Sequence, residues 1–388
     1  VNKEAKTTKL VTQWNISAIS YNPENNTAFE GSIMEDWLND TSVDGFLGNL
    51  REPEKFIEAN AQWDASSDNN KLGSIPKPNG TTIVTAPVGL LNTYEYQSSN
   101  NGGTAGYLNN GLSWWTLTPY DSSNLCEVHF NGTESGINPY EPYGVRPSIN
   151  LQSSVKIVSG DGTVDNPYRL NGDNDTNLSG TQLSTRYSGE YIKFGNDENN
   201  LYRIVSHENG SGTKITSAEP LKNSSTFITS AFGNNITFSS KNTIGTFLNG
   251  DYLTNYVDSE YREMIQDETT WYLGTVGWAI SYKLAKYTDT NMSSTTSTTT
   301  DAKVGLLRMG ELMSGQFDRY SYGSGSDYWL LTPYNTSNVR NIGYTGYSGY
   351  YSFSSMYGVR PSLNLKSNVQ ITSGTGTKSD PFVLTLGN

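Results

Sequence analysis

The chain has 388 residues, a formal charge of −12 and no Lys/Arg cluster, which makes nucleic acid and anionic membrane surfaces poor partners. No apolar run approaches the ~20 residues that span a bilayer, and no signal-peptide pattern is present. The single cysteine, Cys126, excludes a disulfide within one chain, and it reads as an incidental loop or strand residue.

The length suffices for two ordinary domains, and 26 Tyr and 38 Gly beside abundant Asn, Ser and Thr favour many short strands joined by turns. In chain order, residues 9–12 predict a strand, 33–38 a short helix, and 53–63 a second helical stretch. Residues 82–85 and 88–91 predict strand and turn material, and a strand headed by Trp115 follows. This first unit spans residues 1–170; opening at Val1 in mid-pattern, it reads as a mature or trimmed form. Residues 171–187 are polar and turn-rich with little to bury, and are expected to be a linker. In the second unit, residues 188–388, alternation around an Asn/Asp turn predicts a β-hairpin over 189–205. Residues 214–216 then answer 9–12, 244–249 answer 34–39, and 304–307 answer 88–91. Residues 292–300 are low in complexity and expected to form a mobile loop.

These correspondences belong to a tandem duplication. Trp115-Thr-Leu-Thr-Pro-Tyr120 matches Trp329-Leu-Leu-Thr-Pro-Tyr334, and Tyr143-Gly-Val-Arg-Pro-Ser-Ile-Asn-Leu151 matches Tyr357-Gly-Val-Arg-Pro-Ser-Leu-Asn-Leu365, all at one offset of 214. Between Leu125 and Pro142 the copies keep equal length yet share only Gly132 with Gly346. Such an insert is either a display surface on a fixed scaffold or an exposed hairpin that drifted after duplication.

The hairpin over 189–205 has no counterpart in the first unit, because only eight residues precede Lys9. If that hairpin belongs to the fold's sheet, the missing piece comes from residues removed upstream or from a neighbouring chain, or is not needed; strand donation between subunits, giving a homo-oligomer or filament, is the expectation.

The doubled block resembles the C-type-lectin-like domains of bacterial and phage surface proteins, above all bacterial modules with a W-x-L-x-[ST]-P … Y-G-V-R-P-[AS]-[LI]-x-L signature. More distantly it is similar to the variable proteins of diversity-generating retroelements and to the formylglycine-generating-enzyme fold. The resemblance implies an α+β class with two tandem C-type-lectin-like domains. Each would have two helices on a small twisted antiparallel sheet and a loop-rich binding face. The residues agree in kind: Trp115 and Trp329 head strands and bury large rings, Gly144 and Gly358 allow tight backbone, and Pro147 and Pro361 fix φ. Arg146 and Arg360, identical in both copies, suit a buried guanidinium tying down loop carbonyls better than a ligand contact.

The second insert supplies the leading candidate binding residues: Arg340, Asn341, Tyr344, Tyr347, Tyr350, Tyr351 and Phe353, a Tyr/Ser/Gly/Asn mixture typical of binding loops. Its structural alternative is a Tyr-rich hairpin whose rings cover the sheet. The first insert offers His129, Phe130, Asn131, Glu134 and Tyr140, so the two inserts should bind different things. Animal-lectin calcium motifs are absent, residues 161–165 are only a weak cation signal, and His129 and His207 lack motif partners. No catalytic residue, metal or cofactor is expected. The sequence thus points to an exported bacterial surface or appendage protein, an adhesin for a host or surface glycan or protein. A pilus or fibre subunit and a phage receptor-binding module are the alternatives.

Overall fold

The computed structural model describes residues 7–22, 24–42, 45–67, 78–99, 106–163, 166–171, 177–207, 212–274, 298–309, 311 and 325–387. Strand accounts for 34% of the chain and helix for 15%. In the first unit the strands are β1 (Thr8–Val11), β2 (Ser17–Ser20), β3 (Gln62–Asp64), β4 (Ile83–Thr85), β5 (Val88–Gly89) and β6 (Trp114–Pro119). They continue with β7 (Leu125–Val128), β8 (Glu134–Ile137), β9 (Pro142–Val145), β10 (Ser148–Leu151), β11 (Ile157–Ser159) and β12 (Arg169–Leu170). The second unit opens with β13 (Tyr191–Lys193), β14 (Leu201–Ser206), β15 (Thr213–Ser217), β16 (Lys222–Asn223), β17 (Thr226–Phe227) and β18 (Thr229–Ala231). Then come β19 (Trp271–Tyr272), β20 (Thr298–Thr299), β21 (Val304–Gly305), β22 (Tyr328–Pro333) and β23 (Asn338–Ile342). The last are β24 (Ser348–Ser352), β25 (Met356–Gly358), β26 (Ser362–Leu365), β27 (Val369–Ser373) and β28 (Val383–Leu386).

Four small sheets dominate: β1-β10-β5 and β2-β9-β6-β7-β8 in the first unit, β13-β14-β15-β26-β21 and β18-β25-β22-β23-β24 in the second. They are arranged like the blades of a four-bladed β-propeller. This overturns the expected α+β pair of C-type-lectin-like domains. The helices are too short to form a layer: α1 (Ile33–Asn39) has 7 residues and α2 (Pro53–Phe56) only 4. Residues 53–63 do not continue as a helix, because the chain leaves α2 at Ile57 in extended backbone and enters β3. There Trp63 is buried, with its indole N–H donating to Ala86 O at 2.8 Å.

The repeated motif builds the same frame twice. Trp115 and Trp329 are fully buried, and each indole donates to a carbonyl two strands away in its sheet, Ile19 of β2 and Ser230 of β18. Gly144 and Gly358 sit where β9 and β25 run parallel to β6 and β22. A Cβ at Gly144 would fall 2.6 Å from Ser113 O, and one at Gly358 2.1 Å from Gly325 O, so close backbone approach requires glycine at both. Arg146 donates to Thr12 O and Leu108 O, and Arg360 to Ser217 O, Ala218 O and the Tyr328 hydroxyl. Both guanidiniums therefore lock loops.

Of the expected linker, residues 171 and 177–187 are described, and the last of them pack on the second unit. Leu183 lies in the second unit's core, Gln182 bridges Gln370, and the buried Arg186 lies over the Phe382 ring. Residues 292–297 lie outside the described residues, and the tail of that stretch forms β20 against β19. The units also share a small core in which Ala18 and Leu112 pack with Val205, Leu307, Tyr328, Leu330 and Ile342.

Candidate functional site

Each insert is a β-hairpin with the same turn. In the first, His129 N–H donates to Thr133 O and Gly132 N–H to His129 O; in the second, Gly343 N–H donates to Tyr347 O and Gly346 N–H to Gly343 O. Gly132 and Gly346 have φ of 86° and 85°. The one residue the inserts share is thus the left-handed glycine that closes a three-residue hairpin loop.

The leading strand of each hairpin is core. Leu125, Cys126 and Val128 are buried, as are Val339 and Ile342. Arg340 and Asn341 are buried beside them, which removes both from direct contact with solvent. Arg340 instead sits beneath the tyrosines, 4.6 Å from the ring of Tyr334 and 5.8 Å from that of Tyr350. Burial lowers its pKa to about 10, against the pull of the tyrosine hydroxyls and Glu141, so it stays charged at neutral pH.

The display side is the turn and β24. Tyr344, Tyr347, Tyr350 and Tyr351 are exposed, while Phe353 is half-buried against the second core. Pleating separates them into two faces. Tyr350 opposes Arg340 and stacks on Tyr334 with centroids 3.8 Å apart, whereas Tyr351 opposes Val339 and tilts onto Tyr357 at 4.8 Å. Tyr347 stacks on Tyr143 of the first unit at 5.9 Å. The turn itself is docked there: Ser113 N–H donates to Thr345 O at 2.8 Å, and a Cβ at Gly346 would press on Asn15 and Leu112. The second insert therefore both displays rings and joins the units.

The first insert has another chemistry. At the place of Tyr350 it has Gly136, where a Cβ would collide with Tyr120 at 2.3 Å. Phe130 packs on His129 with centroids 4.3 Å apart, Asn131 is exposed at the turn, and Glu134 accepts from Gln97 Nε2. Tyr140 is half-buried, and its carbonyl accepts from Ser20 Oγ.

Sequence reasoning passed over Glu127, which opposes Trp115 as Asn341 opposes Trp329. Its carboxyl is wholly buried, with Oε1 3.0 Å from His129 Nδ1 and 3.0 Å from the donating Ser135 hydroxyl. Burial raises its pKa to about 8, only partly offset by the Ser135 hydrogen bond, and burial lowers that of His129. Glu127 and His129 are thus a neutral pair at pH 7. His129 turns the same Nδ1 toward Ser113 Oγ, at 3.5 Å, so it cannot relay a proton from that hydroxyl to the carboxyl. The available signal was an acid inside the apolar run Leu125-Cys126-Glu127-Val128. His207, by contrast, is tied to Thr213 and the Arg186 carbonyl.

Two further charged groups belong to the frame. Lys214 and Arg308 bind the buried Glu311 at 2.6 and 2.8 Å, and the first unit keeps Lys9 on Glu95 at a partly exposed position. Among the described residues, no helix is long and apolar enough to cross a membrane, and no three His, Cys, Asp or Glu side chains gather as a metal site. Asp161 is turned into its own loop by Thr163, and its possible partner Asp165 lies outside the described residues.

Residues 228–367 match a family described as a domain of unknown function, DUF6273. The match takes in the sheet that carries the tyrosines, together with β21 and β26, and leaves out the β13–β14 hairpin and β27–β28. No curated protein and no solved structure matches the chain.

Proposed function

We propose that the chain is a non-catalytic binding module of a bacterial cell-surface or appendage protein, an adhesin that holds a host or surface glycan or protein on the second insert. One observation carries this reading: Tyr344, Tyr347, Tyr350 and Tyr351 are exposed together on a single short hairpin. Tyr334, Tyr357 and Tyr143 brace three of these rings from behind. A braced ring loses little freedom on binding, and its face suits the C–H faces of a sugar or an apolar peptide side chain. The first insert, with His129, Phe130, Asn131, Glu134 and Tyr140, would take a different ligand.

The test is a glycan and peptide array probed with the full chain and with a Tyr350→Ala/Tyr351→Ala double variant. The variant is expected to lose ~10- to 100-fold in affinity for the ligand found, with the solution mass unchanged. Unaltered affinity would sink the reading. Loss of self-association with ligand binding intact would favour the fibre-subunit alternative, and selective binding to bacterial envelope glycans would favour a phage receptor-binding module.

A further inference from the structure

The two inserts satisfy the polar groups beside their tryptophans differently. Glu127 opposes Trp115, and its Oε1 is held by His129 and Ser135. In the second copy glycines replace both partners, Gly343 for His129 and Gly349 for Ser135, and Asp327 stands in the place of Ser113. Asn341, in the place of Glu127, is 1% exposed, and its Oδ1 is buried with no hydrogen-bond partner among the described residues. The Tyr347 ring lies over the two glycines instead: a Cβ at Gly343 would stand 3.5 Å from it, and one at Gly349 3.7 Å. Tyr351 belongs to the same face, because it opposes Val339, two residues before Asn341, and it leans on Tyr357. Asp327 Oδ1 accepts from Tyr344 N–H at 2.9 Å; among the described residues, Oδ2 has no donor and no Lys, Arg or His pairs with this carboxyl. Burial raises the pKa of Asp327, the Tyr344 N–H only partly offsets this, and its charge reaches the hydroxyls of Tyr347 and Tyr357. A cation beside such a carboxyl would stabilise its charged form. The other face of β24 has the opposite sign, since Tyr350 and Tyr334 lie over the buried Arg340.

We propose that the face formed by Tyr347, Tyr351 and Tyr357 binds a protonated amino sugar of a glycan, with its ammonium on Asp327 Oδ2 and its ring against the tyrosines. The inference rests on the tyrosine-face reading above and gives that face a ligand class and a polarity. The unfilled carboxylate and amide oxygens are both acceptors, so the complementary group is a donor. An ammonium carries donors only and is attracted to the electron-rich faces of phenol rings. Tyr347 and Tyr351 are 38% and 43% exposed, so their faces are open and not wrapped into a tube, which suits a flat pyranose better than a slender lysine chain. The formal charge of −12 favours approach of a cation, and Arg340 beneath the Tyr350 side directs the amine to the Tyr351 side.

The experiment titrates the full chain, at mildly acidic pH, with a glucosamine tetramer, with the same tetramer fully N-acetylated, and with a short lysine peptide. Expected is saturable binding of the free-amine tetramer, ~tenfold or more tighter than that of the neutral one. Asp327→Asn keeps an acceptor for Tyr344 N–H and should abolish the preference for the free amine. Tyr351→Ala should weaken the free-amine tetramer more than Tyr350→Ala does, and this gives the reading if Asp327→Asn fails to fold. Four outcomes overturn the proposal: no binding of either tetramer; equal binding of both; a preference for the free amine that survives Asp327→Asn; or binding of the lysine peptide in place of the tetramer. Equal binding of both tetramers that Tyr350→Ala/Tyr351→Ala abolishes would leave the tyrosine-face reading standing and remove only the amine.

Discussion

Tyr168 and Phe382 stand at the same place in the two copies of one motif, yet the first faces solvent and the second is sealed in a core. The same holds for Ile157 and Ile371, and for Leu10 and Ile215. Their local sequences are alike and their neighbours on the strand are alike. What differs is a hairpin, β13–β14, that extends the second unit's sheet beyond β15, whereas among the described residues β1 pairs only with β10. Burial here is a property of the assembly around a residue and not of the residue, so one motif can be core in one unit and exposed in the next.

The comparison can be broken most sharply by truncation. Phe382→Ala should cost ~3–5 kcal/mol in urea unfolding at 25 °C, while Tyr168→Ala should stay within ~0.5 kcal/mol. Equal costs would mean that Tyr168 is covered in solution. A charged pair gives the next contrast. Glu311→Gln leaves Lys214 and Arg308 buried without their carboxylate and should cost ~3–5 kcal/mol, against ~1 kcal/mol or less for Glu95→Gln at the more exposed Lys9 pair. Burial raises the Glu311 carboxyl, but Arg308 and Lys214 together hold it well below the usual carboxylate range. Its contribution is therefore present above that ordinary range and lost as pH falls through the lower, folded value.

Glu127 runs the other way. Its pKa is raised to about 8 by burial, so the stability tied to its proton is complete below the ordinary carboxylate value of 4.5 and is lost as pH rises through about 8. Unfolding free energy should fall by roughly 5 kcal/mol across that window, and Glu127→Gln should flatten the profile. A flat wild-type profile would contradict the neutral pair. The smallest contrast lies in the turns. Gly132→Ala and Gly346→Ala each force a left-handed backbone and should cost ~1 kcal/mol. Gly346→Ala should cost more, because Asn15 and Leu112 stand against it. Equal costs would mean that the second turn is not docked on the first unit.

Much of the frame could be read from residue order. Period-two alternation placed the β13–β14 hairpin, and the repeated motif placed the strands at Trp115 and Trp329 and identified Arg146 and Arg360 as structural. The expected fold class failed because one motif constrains a few strands and not their arrangement. Residues 33–38 have helical spacing and do form a helix, but seven residues cannot make a layer, and residues 53–63 end in a strand because Trp63 finds its partner across the sheet at Ala86. At the candidate site, the tyrosines were legible from composition. The burial of Arg340 and Asn341 was not, because β23 looks as polar as β24 in sequence and only its position between β22 and β24 puts it inside. Glu127 was hidden for the same reason.

What the sequence determined by itself was the duplication and the hairpin turns with their obligatory glycines. Each depends on local geometry or on counting, which residue order carries directly. What only the tertiary structure decided was which copies of the shared apolar positions are covered, which rings of the second insert are free, and that the insert's turn also joins the units. Those depend on contacts between segments hundreds of residues apart, such as Asn15 with Gly346, which no local pattern encodes.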